Sequence, residues 1–327
     1  MVLSVPHDWS GLTPAWVSEA LGTPVEQVTL SDIADGTNAR ARVTLRHADG
    51  SGLQRVFVKR EGGLLGRLAL TALGAREAEA NLVRGGVALP LEHPRFYAAA
   101  VDRRRLAAVV VMEDVTLRGG RPNSAIRPLS VEQVASGLRE LARLHSAYWE
   151  QPPPSFVRPW RLGPQWMPIA WGGFAHALWR LRRLGRPLDV TASEMERGFR
   201  GWAKTAARGP QTLLHGDPHP GNTYSLADTT GFYDWQLIRS GTWAHDVEYF
   251  IVSSLTVADR REHEHDLLAG YLDALGRRPP DAQGLYWNAA VFGLGSWLQT
   301  FAAGIFQPTD VCLATIERFA AAYQDLR

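Results

Sequence analysis

The chain has 327 residues and a formal net charge of +2, with 45% hydrophobic and 21% charged residues. This length can bury more than one core, and the proportions are those of a soluble globular protein rather than a disordered or fibrous one. The small net charge gives no reason to expect nucleic acid as a partner. Cys312 is the only cysteine, so the chain cannot form an internal disulfide, and a reducing cytoplasm is the expected location.

The N-terminal region predicts a short helix followed by strands. Thr13 and Pro14 are typical of a helix start and Gly22 of its end, so a helix is expected over residues 14–21. The apolar and β-branched runs that follow predict strands over residues 25–31, 41–46, 53–59 and 107–112.

A loop with the sequence ADGTNAR, residues 34–40, separates the first two strands. Its backbone N–H groups and the Thr37 hydroxyl can bind phosphate oxygens. Because the loop holds a single glycine, Gly36, an ordinary hairpin turn is the alternative interpretation.

The third strand ends in Lys59, and a sequence that favours a helix follows over residues 76–83. A lysine on a strand can pair with nucleotide phosphates, although an exposed lysine at a strand end is the ordinary interpretation when no other motif is present. Glu77 and Glu79 lie two residues apart in the predicted helix and point to different sides of it, so only one of them can face Lys59.

The remainder of the chain is mainly helical in pattern. Ser130 and Gln133 form a capping-box pair ahead of a helix over residues 134–149. Ser193 is expected to cap a helix over residues 194–207. A last pair of helices is expected over residues 260–275 and 310–324.

The segment from Leu214 to Gln236, LHGDPHPGNTYSLADTTGFYDWQ, carries the strongest functional pattern. Asp217, Asn222 and Asp234 occur in the order in which phosphoryl-transfer enzymes place a catalytic base and two metal ligands. Prolines and a glycine exclude a helix there, and strands over 223–226 and 231–233 predict a hairpin with its turn at 228–230. Carboxylate and amide oxygens are ligands that Mg²⁺ accepts, whereas the alternative is a polar loop without a function.

A long uncharged stretch, LYWNAAVFGLGSWLQTFAAGIFQP, covers residues 285–308. It is about long enough to cross a membrane, but Asn288, Ser296 and Gln299 recur near helical spacing and form a polar stripe. We therefore expect a buried helix whose stripe faces a pocket, with Trp297 beside it. The many tryptophans of this half of the chain favour a partly aromatic pocket for a hydrophobic alcohol, although most of them can also be core residues.

Taken together, the lysine strand, the glutamate helix and the 214–236 segment resemble the aminoglycoside phosphotransferase and choline-kinase-like family, nearest its ecdysteroid-kinase-like branch. The resemblance implies a two-lobed, protein-kinase-like α+β fold with an N-lobe over residues 1–112 and a helical C-lobe over residues 113–327. It implies transfer of phosphate from ATP to a small-molecule hydroxyl, with Mg²⁺ as cofactor. Asp217 would be the catalytic base, and Asn222 and Asp234 would hold the metal.

The resemblance also implies roles for residues that the spacing alone does not settle. Glu77 would pair with Lys59, because it occupies the place of the glutamate in the family's REVxFY segment. The backbone of Val111, Met112 and Glu113 would bind adenine at the hinge. The catalytic loop would be braced by His215, His219 and Asp246.

Two other functions stay open at this point. An antibiotic-inactivating phosphotransferase, of the aminoglycoside or macrolide type, would share the motifs, but residues 152–200 contain no acidic run suited to a polycationic aminoglycoside. A non-catalytic, kinase-like nucleotide-binding module usually lacks the lysine, the base or the metal aspartate, and all three are present here. The expected partner is a hydroxylated small molecule, with no nucleic acid and no membrane, and the candidate acceptor residues are Asn288, Trp297 and Gln299.

Overall fold

The computed structural model describes residues 3–34, 38–47, 50, 52–160 and 167–326. The chain divides into two compact units. Unit 1 comprises Met1–Leu89, His93–Arg121 and Tyr233–Leu237, and unit 2 comprises Pro90–Glu92, Pro122–Phe232 and Ile238–Arg327. Unit 1 thus extends past residue 112, where the sequence placed the lobe boundary, because Asp114 pairs with Arg42 and Arg55 of the sheet, at 3.0 and 2.6 Å.

Unit 1 is built on an antiparallel sheet flanked by short helices. Its elements are α1 (Pro14–Leu21), β1 (Gln27–Ala34), β2 (Asn38–Arg46), β3 (Arg55–Glu61), α2 (Leu64–Ala72), α3 (Ala78–Arg84), β4 (Phe96–Asp102) and β5 (Ala107–Glu113). The strand order is β1-β2-β3-β5-β4. The lysine strand therefore lies in the middle of the sheet, where neighbours on both sides fix its register.

The two faces of this sheet bury different sets of side chains. One face packs Val58 and Val111 against Trp16 of α1. The other face packs Val110 and Met112 against Ala80 of α3. Lys59 stands opposite Val110 in the register of β3 and β5, and directly opposed residues share a face. The pairing therefore directs the Lys59 side chain toward α3.

Unit 2 is mainly helical and holds two small sheets. Its elements, after the boundary strand β6 (Arg121–Pro122), are α4 (Val131–Ala147), β7 (Arg158–Pro159), α5 (Met167–Arg183), α6 (Ala192–Ala206), β8 (Gln211–Leu214), β9 (Thr223–Leu226), β10 (Thr229–Phe232), β11 (Arg239–Thr242), α7 (Ala244–Ser254), α8 (Val257–Leu275), α9 (Ala282–Ala303) and α10 (Thr309–Gln324). The core contains residues of α5, α6, α7, α9 and α10. The predicted α+β class, with a β-rich N-terminal and a helical C-terminal part, is confirmed.

The sheet of β7, β8 and β11 places two segments of the chain side by side. Arg239 at the start of β11 pairs with Leu214 at the end of β8. The loop that begins at His215 therefore starts beside the beginning of β11. The helix α7, which follows the other end of β11, contacts this loop through Asp246, whose carboxylate accepts the backbone N–H groups of His215 and Gly216.

Two local predictions need correction. Thr191, not Ser193, caps α6, because Thr191 forms a reciprocal capping box with Glu194. The turn between β9 and β10 lies at Ala227-Asp228 instead of residues 228–230, because Thr229 already pairs with Leu226. Ala227 adopts a positive φ of 48°, which allows this two-residue connection.

The uncharged stretch forms most of α9, which is buried among other helices of unit 2. In the described ranges, no helix is both long and apolar enough to span a bilayer.

Candidate active site

In unit 1, Lys59 is held by two carboxylates. Its Nζ lies 2.8 Å from Glu79 Oε2 and 2.5 Å from Asp234 Oδ1. The lysine side chain is only 12% exposed. Burial alone would lower the pKa of Lys59, but the charges of Asp234 and Glu79 outweigh burial and raise it. The lysine is therefore a fixed cation.

The glutamate that faces Lys59 is Glu79, so the assignment of Glu77 was wrong. The helix α3 begins only at Ala78, which leaves Glu77 at the N-cap position, outside the first turn. Glu77 pairs with Arg76 and with Arg103 instead. Glu79 lies on the buried face of α3 and also accepts a hydrogen bond from the Trp235 backbone N–H at 3.1 Å.

Asp234 follows β10 and has a left-handed backbone, with a φ of 67°. A residue other than glycine is uncommon in this conformation and often marks a functional site. Two residues later, Gln236 accepts a hydrogen bond from the Asn38 side chain at 2.6 Å. The segment around Asp234 is thus tied to β2, β3 and α3 of the same unit.

The predicted nucleotide-binding residues of unit 1 have different surroundings. Thr37 lies outside the described residues. The Val111 side chain packs in the core on the sheet face opposite to that of Lys59, so only its backbone can approach a nucleotide. Glu113 is engaged by Arg118 Nε at 2.9 Å and by the Arg95 backbone N–H at 3.1 Å.

In unit 2, the loop after β8 presents Asp217. Gly216 has a φ of 86°, which favours glycine and turns the chain sharply before the aspartate. Asn222 Nδ2 donates to the Asp217 backbone carbonyl at 2.9 Å and to Asp217 Oδ2 at 3.2 Å. These bonds turn the Asn222 nitrogen toward Asp217, so its amide oxygen points away from the aspartate.

Asp246 of α7 holds the start of this loop. Its carboxylate accepts the backbone N–H groups of His215, at 2.7 Å, and Gly216, at 2.9 Å. His145 lies 3.3 Å away and is bonded in turn to Tyr271. Burial would raise the pKa of Asp246, but the hydrogen bond and charge of His145 lead the opposing effects, and the net shift is downward. A buried carboxylate thus remains ionised and fixes two backbone groups beside Asp217.

The side chains of His215 and His219 bond to backbone N–H groups of the same loop. The Asp217 backbone N–H lies 3.3 Å from His215 Nδ1. The Gly221 N–H lies 3.0 Å from His219 Nδ1, and a side chain on Gly221 would collide with that ring. The His219 Nε2 atom is 3.8 Å from Asp217 Oδ2.

A residue to which the sequence reasoning gave no role is Tyr249 of α7. Its hydroxyl donates to Asp217 Oδ1 at 3.0 Å. Burial first, and then the charge of Asp217, raises the pKa of Tyr249 well above its usual value. A detectable signal existed, because Tyr249 follows Asp246 by three residues, close to one helical turn, and so shares its face of α7.

The candidate acceptor residues on α9 have different surroundings. Trp297 is buried and meets the His219 ring edge-on, with ring centroids 5.4 Å apart. Gln299 donates to the Ala170 carbonyl of α5 at 2.6 Å, so it serves a contact between helices. Asn288 is half-buried.

The two predicted metal ligands, one in each unit, carry the kinds of oxygen atom that Mg²⁺ accepts. Asp234 offers a carboxylate and Asn222 an amide oxygen, and Mg²⁺ prefers such oxygens together with substrate phosphates. Within the part of the chain that the structure describes, no group of three or more His, Cys, Asp or Glu side chains is arranged as a metal site.

Solved structures of small-molecule kinases share this fold. Choline kinase LicA from Streptococcus pneumoniae superposes with a TM-score of 0.56 at 12% identity, covering 94% of this chain and 96% of that one. An aminoglycoside phosphotransferase from Alicyclobacillus acidocaldarius gives 0.53 at 16% identity, covering 96% and 95%. At these identities the likeness establishes the architecture alone.

The sequence itself identifies the family. No curated protein matches it significantly. The model of the phosphotransferase enzyme family, however, matches residues 32–285, which is most of the chain. The predicted enzyme class, a small-molecule kinase, is confirmed with it, whereas the ecdysteroid-kinase-like branch stays a prediction. The chain therefore belongs to the phosphotransferase enzyme family.

Proposed function

We propose that this protein transfers the γ-phosphate of ATP to a hydroxyl group of a small molecule, with Mg²⁺ as cofactor. The observation that carries the proposal is the ion cluster of Lys59, Glu79 and Asp234. Buried charges are costly and are seldom kept for stability alone. A fixed cation beside a carboxylate with a strained backbone matches the phosphate-neutralising and metal-holding groups of phosphoryl-transfer sites.

Each group has a defined part in the reaction. Asp217 orients the acceptor hydroxyl and takes its proton as the new bond from oxygen to the γ-phosphorus forms. The bond from that phosphorus to the β–γ bridging oxygen breaks, and ADP leaves with the electron pair. Lys59 neutralises phosphate charge, while Asn222 and Asp234 would hold Mg²⁺, which supplies further charge neutralisation. Positioning and electrostatics account for most of the acceleration.

The acceptor is proposed to be an apolar or weakly polar alcohol. The helix α5 carries Arg180, Arg182 and Arg183 in its last turn and contains no acidic residue. On the same helix, Trp171 and Trp179 are about half exposed. Gln299, a candidate acceptor residue, contacts this same helix. We therefore expect the site to disfavour a polycationic aminoglycoside, which needs carboxylates, and to favour a hydrophobic molecule.

The test is phosphate incorporation by the purified protein. Mg–ATP is incubated with a panel of hydroxylated compounds that includes steroid-like and polyketide-like alcohols, macrolides and aminoglycosides, and products are read by mass spectrometry. A mass gain of one phosphate on an apolar alcohol is expected. Nucleotide binding in a thermal-shift assay without transfer to any compound would instead support a non-catalytic module, and transfer only to aminoglycosides would overturn the acceptor assignment.

A further inference from the structure

The hydroxyl of Tyr249 reaches the proposed catalytic base from a different element of unit 2. It donates to Asp217 Oδ1 at 3.0 Å, and the tyrosine is only 5% exposed. Its ring packs near His245, Phe292 and Phe319, with centroid distances of 6.1, 6.3 and 5.3 Å. Aromatic neighbours on several sides fix the ring, and they therefore fix the position of its hydroxyl.

We propose that Tyr249 is a positioning residue for Asp217, holding the carboxylate in the orientation that receives the acceptor hydroxyl. The proposal rests on the function proposed above. Tyr249 donates to Oδ1 of the carboxylate, and Asn222 Nδ2 donates to Oδ2 at 3.2 Å. One donor lies on α7 and the other on the loop itself, and each bonds a different oxygen of the carboxylate. Together they hold the carboxylate group in one orientation.

Two residues of the helix α7 act together on Asp217 and on the loop that carries it. Asp246 binds the backbone of His215 and Gly216, just before Asp217, while Tyr249 binds the Asp217 side chain. One face of α7 therefore fixes the position of the backbone just before Asp217 and the position of the Asp217 side chain. Rotation of a catalytic group by a small angle is costly in rate, since the reacting atoms must be aligned.

The alternative is that Tyr249 is only a core aromatic residue. The substitution Tyr249→Phe separates the two roles, because it keeps the ring and removes the hydroxyl. Tyr286→Phe is the matched control, since the Tyr286 hydroxyl donates to the Glu264 carboxylate at 2.7 Å, on α8 and outside the proposed site. Both variants lose one hydrogen bond from a buried tyrosine to a carboxylate.

The experiment combines turnover with direct observation of the bond. With Mg–ATP, and water in place of the acceptor, Tyr249→Phe should lower kcat by about tenfold to a hundredfold, the loss typical of one hydrogen bond to a charged group, while the KM for ATP stays unchanged. Tyr286→Phe should leave kcat unchanged. In protein labelled at the tyrosine Cζ, the Tyr249 carbon resonance should move on Asp217→Asn, whereas the Tyr286 resonance should not.

The outcomes are separable. An unmoved Tyr249 resonance, or an unchanged kcat in Tyr249→Phe, would overturn the positioning role even if the wild type is an active kinase. A wild type that transfers phosphate neither to water nor to any alcohol would overturn the proposed function, while the resonance shift would still decide whether Tyr249 holds Asp217.

Discussion

At the scale of single residues, the Lys59 cluster sets the chemistry of unit 1. One lysine and two carboxylates are nearly buried together, with Glu79 only 6% and Asp234 24% exposed at the side chain. Removing one member of such a cluster leaves the others uncompensated. Each of these side chains should therefore matter more for activity than a surface ion pair does.

We predict that Glu79→Gln lowers kcat/KM for ATP by about tenfold to a hundredfold, because Lys59 loses one charged hydrogen-bond partner and its orientation. Steady-state kinetics with Mg–ATP, supported by calorimetric ATP affinities, measure the effect. Glu77→Gln is the matched control, two residues away on the same segment. It loses its contacts to Arg76 and to the mostly exposed Arg103 and leaves both carboxylate partners of Lys59 in place, so we expect less than about a twofold change in kcat/KM for ATP. Equal losses in both variants would contradict the assignment.

At the scale of elements, α7 contains a buried acid that the proposed reaction does not use. Glu248 is 1% exposed, and both of its carboxylate oxygens are buried without a hydrogen-bond partner among the described residues. Burial, followed by the charge of Glu264, raises the pKa of Glu248 well above its usual value, and Arg260 opposes the shift only partly. The native protein thus keeps Glu248 protonated where the unfolded chain ionises it.

The raised pKa of Glu248 makes the stability of the folded protein depend on pH. Above an unfolded-state pKa of about 4.3, the folded protein binds one proton more than the unfolded chain, so stability falls as pH rises, by about 1.4 kcal/mol per pH unit until the folded pKa is reached. Glu248→Gln should flatten this decline above pH 5 in thermal melts. Glu262→Gln, at an exposed glutamate of α8, should leave it intact. An unaltered slope in Glu248→Gln would show that Glu248 is ionised in the fold.

The helix α9 is the element that we expect to influence acceptor choice. Trp297 packs on His219 of the catalytic loop, whereas Trp287 on the same helix meets His265 of α8. Trp297→Phe should change the ratio of kcat/KM between two alcohol acceptors by about tenfold, the usual effect of reshaping an apolar pocket, without changing ATP affinity. Trp287→Phe should not change the ratio. A loss shared equally by all acceptors and by ATP would make Trp297 a core residue only.

Helix boundaries could be predicted from the sequence where neighbouring residues determine them. The capping box of Ser130 and Gln133 and the helix Pro14–Leu21 form as the sequence indicates. The partner of Lys59 was not predictable in this way, because it depends on which side of α3 packs against the sheet, and Glu79 lies on that buried side. The Tyr249 contact was equally hidden, since it joins residues 32 positions apart.

At the scale of the whole molecule, the family and the fold class were predictable because the functional residues lie in short segments with fixed spacing. Asp217, Asn222 and Asp234 lie within one stretch of the chain. The bonds that set their geometry are nonlocal, since Lys59 meets Asp234 and Asp246 meets His215 only in the folded units. The acceptor was not predictable for a related reason. It depends on surfaces assembled from several helices and not on a motif.

The central claim is that Asp217 receives the acceptor proton in a phosphoryl transfer that the rest of the site supports. The most direct measurement compares wild type and Asp217→Asn for transfer from Mg–ATP to an accepted alcohol, alongside calorimetric Mg–ATP affinity. We expect the rate of transfer to fall by about a thousandfold or more while the affinity changes little, because the base acts on the transition state and not on the nucleotide. Wild-type turnover in Asp217→Asn, or a loss of affinity that accounts for the whole loss of rate, would contradict the account.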